Sequence, residues 1–335
     1  MKRSVWKQIH TIRQEVIDGA GADCAIFAFN DTDPMAFAAC VQGAATCVQE
    51  AAVAVNPSSL RATDQKLRQV ILKCLNNLAV SGAKPMGILL TLLLPEETEE
   101  SDLKALMSEA EAVCADCKIQ IAGGHTTVSS AVNQPFAIVT GFGKLKKEKA
   151  VSMRNALPGH DIVLSKWIAL EGTAMLAACG RDKLLARYPA YLPETVMGFE
   201  ELLSIAPEAA VASAFGVSAM HDASEGGIFA ALWELAEASG VGLTIDLKKL
   251  PIRQETVEVC EVMNANPYEL MSGGCLIMTC EDGAGLVREL ENAGIPGTVV
   301  GRITDSNDRL ILNDDEVRYM DRPKQDAIYN TGEEQ

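Results

Sequence analysis

The chain has 335 residues, of which 48% are hydrophobic, 22% are charged and only 5% are aromatic, and its formal net charge is −16. This length predicts about two domains, and the share of apolar residues is sufficient for full cores, which excludes a globally disordered chain. A surface this negative repels nucleic-acid phosphates and anionic lipids, so neither is expected as a partner.

The first residues, MKRSVWKQIH, lack the apolar core of a secretory signal, and no apolar run reaches about 18 residues. Both observations predict a cytoplasmic protein without a membrane span. The ten cysteines are scattered and are expected to be reduced. Cys114 and Cys117 form a CxxC motif, which is only a weak indication of zinc because no second CxxC and no histidine pair accompany it.

The first half of the sequence alternates between helical and strand patterns. Apolar spacing predicts a helix over residues 1–18, followed by a glycine turn in which Asp23 leads into a strand. Residues 51–55 are interpreted as a further strand. The later elements predicted in this half are a helix over 64–80, a strand buried on both faces over 86–94, a helix over 101–117 capped by Ser101, a strand over 119–122 that runs into a glycine turn, and a strand over 135–142.

The second half begins after a Pro-Gly break at Pro158 and Gly159, which indicates a domain boundary near residue 150. The elements predicted beyond it are a strand over 161–164, a helix over 171–179, two more helices, a polar turn over 221–227, a helix ending at Gly240, strands over 242–247 and 275–280, a helix over 281–293, and strands over 299–303, 309–312 and 317–320. The predicted organisation is a domain over 1–150, a domain over 151–325 and a frayed polar tail over 326–335. Sheets with helices in both halves predict an α+β fold.

Residues 220–240 combine a polar, glycine-bearing turn with an amphipathic helix. Asp222 or Ser224 is expected to cap this helix, and the N–H groups of the turn then point toward a positive dipole end, where phosphate binds readily. The alternative is an ordinary capped helix that binds nothing. This stretch alone leaves both interpretations open.

Polar, glycine-containing turns recur along the chain, but they do not form a P-loop, a GxGxxG fingerprint, a serine nucleophile elbow or an HExxH motif. The turns lie at 21–23, 76–77, 123–126, 221–227 and 272–274. Carboxylates beside glycine-rich turns are typical of sites that hold Mg²⁺ next to the phosphates of a nucleotide. Each acidic residue taken alone is equally explained as a cap or turn residue.

Five segments, taken together and in order, resemble one superfamily. They are NNLAVSGAKP (76–85), IAGGHT (121–126), LEGTAMLA (170–177), MHDASEGG (220–227) and NPYELMSGGCLIM (266–278). The superfamily comprises aminoimidazole ribonucleotide synthetase (PurM), thiamine-monophosphate kinase, selenophosphate synthetase and the hydrogenase maturation protein HypE. The likeness is greatest to HypE and to the AIR synthase-related proteins beside it.

The resemblance implies a two-domain PurM-like architecture, with an N-terminal sheet-plus-helices domain that pairs with a second copy and a C-terminal α/β domain. It also implies an ATP site near the homodimer interface and a reaction in which ATP phosphorylates or activates a small metabolite. The residues implied as catalytic are Asp23, His125 and Asp222. Those implied for cofactor binding are Asn76, Asn77, Gly123, Gly124, Thr126, His221, Gly226 and Gly227. The implied Mg²⁺ ligands are Asp23, Asn77 and Asp222.

The sequence departs from the family pattern where Asn77 and His125 replace two carboxylates. HypE uses a C-terminal cysteine, whereas the last cysteine here is Cys280, so the HypE dehydration of a carbamoyl group is not expected by that route. These departures favour an alternative to an ATP-dependent enzyme, namely a non-catalytic nucleotide-binding dimer that acts as an assembly or hydrogenase maturation partner. A third hypothesis, a transition metal at His125 and His221, has no supporting spacing.

Overall fold

The computed structural model of the protein describes residues 16–18, 25–27, 35–43, 66–145, 150–322 and 324–330. Asp23, the predicted strand at 51–55 and residues 1–15 of the predicted first helix lie outside these ranges. The chain separates into two compact units, residues 1–150 and 151–335. Within the described ranges, every helix is too short or too polar to cross a bilayer.

The described part of the first unit contains one sheet and two helices. Its elements are β1 (Val16–Asp18), β2 (Ala25–Phe27), β3 (Met35–Gly43), α1 (Lys66–Ala79), β4 (Lys84–Leu94), α2 (Glu100–Asp116), β5 (Gln120–Val128) and β6 (Phe136–Lys144). The strands are arranged in the order β1-β2-β3-β6-β4-β5. Neighbouring strands are antiparallel except β4 and β5, which are parallel and are joined through α2 as in a βαβ unit.

Helix α1 packs directly on β6 because a glycine makes room for it. A Cβ atom at Gly141 would lie 2.9 Å from both the Cys74 Sγ and the Leu78 Cδ1 atoms. Cys74 and Leu78 belong to the apolar stripe of α1, and both are fully buried. The stripe therefore seals one face of the sheet, as its helical spacing predicts.

The second unit contains a seven-stranded sheet with helices around it. Its strands are β7 (Asp161–Ser165), β8 (Ala219–Ala223), β9 (Gly242–Asp246), β10 (Cys275–Cys280), β11 (Gly297–Thr304), β12 (Arg309–Asn313) and β13 (Glu316–Tyr319). Its α-helices are α3 (Leu170–Cys179), α4 (Arg181–Arg187), α5 (Tyr191–Met197), α6 (Ala206–Phe215), α7 (Gly227–Ser239), α8 (Gln254–Met263) and α9 (Gly283–Asn292). The strand order is β13-β12-β9-β11-β7-β10-β8, and only β12 and β9 pair in parallel.

A buried ion pair links β7 to the segment that leads into α6. Lys166 follows β7 in a left-handed conformation (φ 52°), and its ammonium group lies 2.5 Å from the Glu208 Oε1 atom. It also donates hydrogen bonds to the carbonyl oxygens of Leu202 and Ser204, both at 2.7 Å. The side chains of Lys166 and Glu208 are 8% and 2% exposed. The ammonium group has three acceptors, and these contacts offset the free-energy cost of burying its charge.

Several predicted elements of the first unit need correction. Residues 16–18 form a strand paired with β2, so the helical spacing of 1–18 was misleading at its end. Strand β4 is not buried on both faces, because Met86 and Leu89 are 42% and 43% exposed. Glu99, not Ser101, caps α2, since Glu99 and Asp102 form a reciprocal capping box.

Two corrections concern the second unit. Three α-helices, α4 to α6, replace the two helices predicted before residue 220, and helix α8 was not predicted. The start of the predicted polar tail is not frayed, because Asp326, Ala327 and Ile328 are 2%, 4% and 2% exposed. Ala327 and Ile328 lie in a short 3-10 helix (Ala327–Asn330), and Asp326 directly precedes it. Ala327 and Ile328 supply the apolar surface that holds this segment in place.

Candidate functional site

The first candidate region is the glycine strand, residues 123–126 in the middle of β5. It was predicted as a turn, but it continues the strand. Ile121 pairs with Ile88 and Gly123 pairs with Leu89, so one extra residue, Ala122, bulges from the ladder. Bulges bend a strand and re-aim its side chains, and they are frequent next to active sites.

Gly124 lets the backbone of the glycine strand approach β4 unusually closely. A Cβ atom at Gly124 would lie 1.8 Å from the Leu90 carbonyl oxygen, and its φ is +148°. Any residue other than glycine at position 124 would force the backbone of β4 or β5 to shift. His125 and Thr126 follow, and both are exposed, as are Gly123 and Gly124. The region therefore presents bare backbone, an imidazole and a hydroxyl group on an edge strand.

Asn76 and Asn77 lie in the last turn of α1 and not in a separate polar turn. Asn76 is 3% exposed, whereas Asn77 is half-buried. The helix stops shortly afterwards, where Gly82 takes a left-handed conformation (φ 79°) and the Ser81 hydroxyl donates to the Leu78 carbonyl oxygen at 2.7 Å. Helix formation therefore prevails over the turn preference of the Asn-Asn pair.

The second candidate region is the glycine turn, residues 224–227, which joins β8 to α7. His221 and Asp222 were predicted in this turn, but they lie in β8 and are 4% and 3% exposed. As neighbours in a strand, they point to opposite faces of the sheet. The His221 Nε2 atom lies 3.4 Å from a Glu234 carboxylate oxygen on α7. Both residues are thus core residues of the second unit.

The N–H groups at the start of α7 are already bonded within the protein. Gly226 N–H donates to the Asp326 Oδ2 atom at 2.6 Å, Gly227 N–H to the Ser224 carbonyl oxygen at 3.1 Å, and Phe229 N–H to the Tyr268 carbonyl oxygen at 3.2 Å. The N-cap residue is Gly226 in a left-handed conformation, with no side-chain cap. The prediction that Asp222 or Ser224 caps the helix is therefore wrong, and these three donors are taken by internal acceptors.

Asp326 is the site residue that the sequence did not reveal. Its Oδ1 atom also accepts hydrogen bonds from Ile328 N–H at 3.0 Å and from Met271 N–H at 3.3 Å. Burial raises the pKa of the carboxyl group to about 6, against the opposing effect of the three backbone hydrogen bonds, and the charge of Glu225 adds a smaller increase. The only available signal was an acidic residue directly before the apolar Ala327 and Ile328.

The glycine turn packs against the 266–274 loop. A Cβ atom at Gly227 would lie 2.6 Å from the Tyr268 carbonyl oxygen, and Gly227 has a φ of +70°. The rings of Phe229 and Tyr268 stack with their centroids 5.2 Å apart. The Ser272 N–H group donates to the Ser224 carbonyl oxygen at 3.1 Å. The turn is therefore held on both sides by its own chain.

The described ranges contain no group of three His, Cys, Asp or Glu residues that could hold a metal ion. Of the two histidines in the transition-metal hypothesis, His125 is exposed in the first unit and His221 is buried in the second. Burial raises the pKa of Cys114 to about 11 and also raises the pKa of Cys117, so both stay protonated at neutral pH.

Comparison with known families accounts for both units. Residues 67–145 match the N-terminal domain of AIR synthase related protein, and residues 158–313 match its C-terminal domain. The two matches lie in order and cover most of the chain. The chain therefore belongs to the AIR synthase related family, as the sequence resemblance predicted.

Among curated relatives, a protein of Methanocaldococcus jannaschii named for hydrogenase expression and formation is 29% identical over 61% of this chain and 58% of its own length. Carbamoyl dehydratase HypE of Rhodobacter capsulatus is 26% identical over 61% of this chain and 58% of its own length. The matches thus span about three fifths of these relatives.

Solved structures extend the likeness to nearly the whole fold. A HypE–HypF complex matches with a TM-score of 0.76 and 20% identity, covering 96% of this chain and 99% of the other. A ThiL structure with AMPPCP and TMP matches with a TM-score of 0.67 and 18% identity, covering 94% and 91%. HypE in complex with ATP matches with a TM-score of 0.64 and 18% identity, covering 90% and 89%. The two-domain PurM-like α+β fold is thereby confirmed.

Proposed function

We propose that this protein binds ATP and uses it to phosphorylate or activate a small metabolite. The observation that carries the proposal is the presence of both AIR synthase related domains, in order, in a fold shared with structures that hold ATP or AMPPCP. Phosphoryl transfer depends mainly on positioning and on the stabilisation of negative charge. A fold that related structures use to hold ATP or AMPPCP supports the proposal of this reaction class.

The glycine strand is the part of the first unit that fits a triphosphate. A side chain at Gly124 would occupy the space in which the backbone now approaches Leu90, and Gly123 likewise carries no side chain. Bare backbone allows phosphate oxygens to come close to N–H groups. His125 and Thr126 add side-chain donors beside it, and both are exposed. We assign His125 and Thr126 to the phosphate end of the nucleotide.

The donors in the described ranges do not fit Mg²⁺ on their own. Mg²⁺ prefers carboxylate, phosphate and water oxygens, whereas Asn77 brings a neutral amide and His125 a nitrogen. Asp222 is 3% exposed in β8. We therefore derive no catalytic step through a protein-held magnesium ion, and the nucleotide phosphates would carry any magnesium bound with it.

We further propose that two copies associate through the first unit. Strand β5 lies at the end of the sheet order, and Met86, Leu89 and Val128 on β4 and β5 are 42%, 43% and 56% exposed. An edge strand with exposed apolar side chains favours pairing with another strand. Light scattering tests this directly, and a monomeric mass at micromolar concentration would rule out a stable dimer.

A second candidate function is that of a nucleotide-binding maturation partner without turnover. It is favoured by the relatives' names, by the HypE–HypF complex among the similar structures, and by the uncharged Asn77 and His125 in place of carboxylates. This role requires ATP binding but no substrate. It differs from the first candidate in the absence of turnover and of a small-molecule substrate.

Calorimetric titration with ATP and with AMPPCP, followed by a phosphate-release assay over a metabolite panel, tests both candidates. Binding with turnover on a defined metabolite supports the enzyme, and binding without turnover supports the maturation partner. A His125→Ala variant that binds as the wild type would contradict the assignment of the glycine strand. The absence of ATP binding would overturn both functions.

A further inference from the structure

The carboxylate of Asp326 joins three separate segments of the second unit. It accepts N–H groups from Gly226 in the glycine turn, from Met271 in the 266–274 loop and from Ile328 in its own segment. Its side chain is 2% exposed. Asp326 is therefore the direct link between the end of the chain and the turn.

Apolar burial holds Asp326 in this position. Ala327 and Ile328 are 4% and 2% exposed, and Ala327 N–H donates to the Glu269 carbonyl oxygen at 3.1 Å. The carboxylate thus meets the N-terminal end of α7, where the helix dipole favours a negative charge. Charge-assisted hydrogen bonds from backbone N–H groups to a carboxylate are stronger than neutral ones.

We propose that Asp326 is a positioning residue that supplies the anion at the N-terminus of α7 and fixes the conformation of the glycine turn. The Gly226 N–H group, expected from the sequence to meet a nucleotide phosphate, is held by the protein's own carboxylate instead. The C-terminal segment is consequently part of the site and not a dispensable tail. The consequence for ligand binding rests on the proposed function; the bond from Asp326 to the turn does not.

Protonation of Asp326 changes the hydrogen bonding of the turn, because a proton on either oxygen removes acceptor capacity from a group that serves three donors. The charged side chain that acts on the Asp326 carboxyl is Glu225 in the turn. Burial and the charge of Glu225 both favour the protonated form. The turn is therefore expected to respond to mildly acidic pH.

The chain contains two Glu-Gly peptide bonds, Glu171-Gly172 and Glu225-Gly226. Protein carrying carbonyl-¹³C glutamate and ¹⁵N glycine therefore gives two NMR cross-peaks selected for this pair. The Gly226 N–H signal is expected to shift with pH with a midpoint near the pKa of Asp326, about 6. Gly172 N–H donates to the carbonyl oxygen of Met271, itself a partner of Asp326, so its signal reports on the 266–274 loop.

Asp326→Asn keeps the size of the side chain but cannot titrate, so the Gly226 shift should lose its inflection. Glu225→Gln, which removes the neighbouring charge and needs carbonyl-¹³C glutamine in place of glutamate for the labelled pair, should retain it. A Gly226 signal that does not titrate, or that titrates identically in Asp326→Asn, would overturn the proposal. The pH titration of the Gly226 signal needs no nucleotide, so it tests the positioning role of Asp326 even if the protein binds no ATP.

The link to ligand binding is tested by calorimetry with ATP. Asp326→Asn is expected to bind ATP about tenfold more weakly than the wild type, because the turn loses its fixed conformation. Asp321→Asn is the matched control, since Asp321 is 83% exposed and forms an ion pair with Lys324 at 3.7 Å. Equal affinities for Asp326→Asn and wild type would remove the turn from the ATP site. An absence of heat with the wild type would instead refute the proposed function.

Discussion

The glycine strand and the glycine turn have similar sequences but opposite environments. Gly123 to Thr126 are exposed on an edge strand, whereas the turn at Gly226 and Gly227 donates to Asp326 and to a backbone carbonyl of its own unit. Glycine is required in both for the same reason, namely a close approach of another backbone segment. The difference shows that a glycine-rich motif indicates close packing, and that its neighbours decide whether its donors remain available to a ligand.

The largest expected effect concerns the buried charges of the second unit. Lys166→Met leaves Glu208 buried without its cation, and one oxygen of Glu208 already has no hydrogen-bond partner among the described residues. The free energy of unfolding should fall by about 3–5 kcal/mol, as measured by urea denaturation. The double variant Lys166→Met, Glu208→Leu should recover most of the loss. A single variant as stable as the wild type would show that the pair is not buried.

A second effect tests the close approach in the glycine strand. Gly124→Ala would place a Cβ atom 1.8 Å from the Leu90 carbonyl oxygen. The backbone must shift, and a loss of about 3 kcal/mol is expected from such overpacking. Gly198→Ala is the control, because nothing lies within 4 Å of its Cβ position. Equal stability of the two variants would refute the described pairing of β4 and β5.

A third, smaller effect is the pH dependence of stability that Asp326 contributes. Its pKa is about 6 in the folded protein and 3.8 ordinarily, so between these values the folded state binds more protons than the unfolded state. Stability from this group therefore falls as pH rises from about 4 to 6, by about 2–3 kcal/mol. Denaturation at several pH values should show this slope in the wild type and not in Asp326→Asn. Parallel curves for the two proteins would contradict the burial of the carboxyl group.

The smallest effect on folding is expected at His125. Its side chain is exposed, so His125→Ala should change the free energy of unfolding by less than about 0.5 kcal/mol. ATP affinity should nevertheless fall, whereas Gln120→Ala, also exposed on β5, should leave it unchanged. If both variants bind ATP as the wild type does, the glycine strand is not the ligand-facing region.

The sequence was sufficient for the family, the two-domain fold and most of the strands, because apolar periodicity and the ordered segments are local signals. It could not show that His221 and Asp222 lie inside β8, since a buried polar residue in a strand looks like a turn residue in the sequence. It also placed Asp326 in a frayed tail. The partners of Asp326 lie 100 and 55 residues away, and contacts at such separation leave no local pattern.

The most direct test is hydrogen–deuterium exchange of backbone amides with and without saturating ATP. The account predicts slow exchange at Gly226, Gly227 and Phe229 in the free protein, because their N–H groups are bonded internally, and new protection across residues 120–128 when ATP binds. Fast exchange at Gly226, Gly227 and Phe229 in the free protein, or binding of ATP with no protection at 120–128, would contradict it.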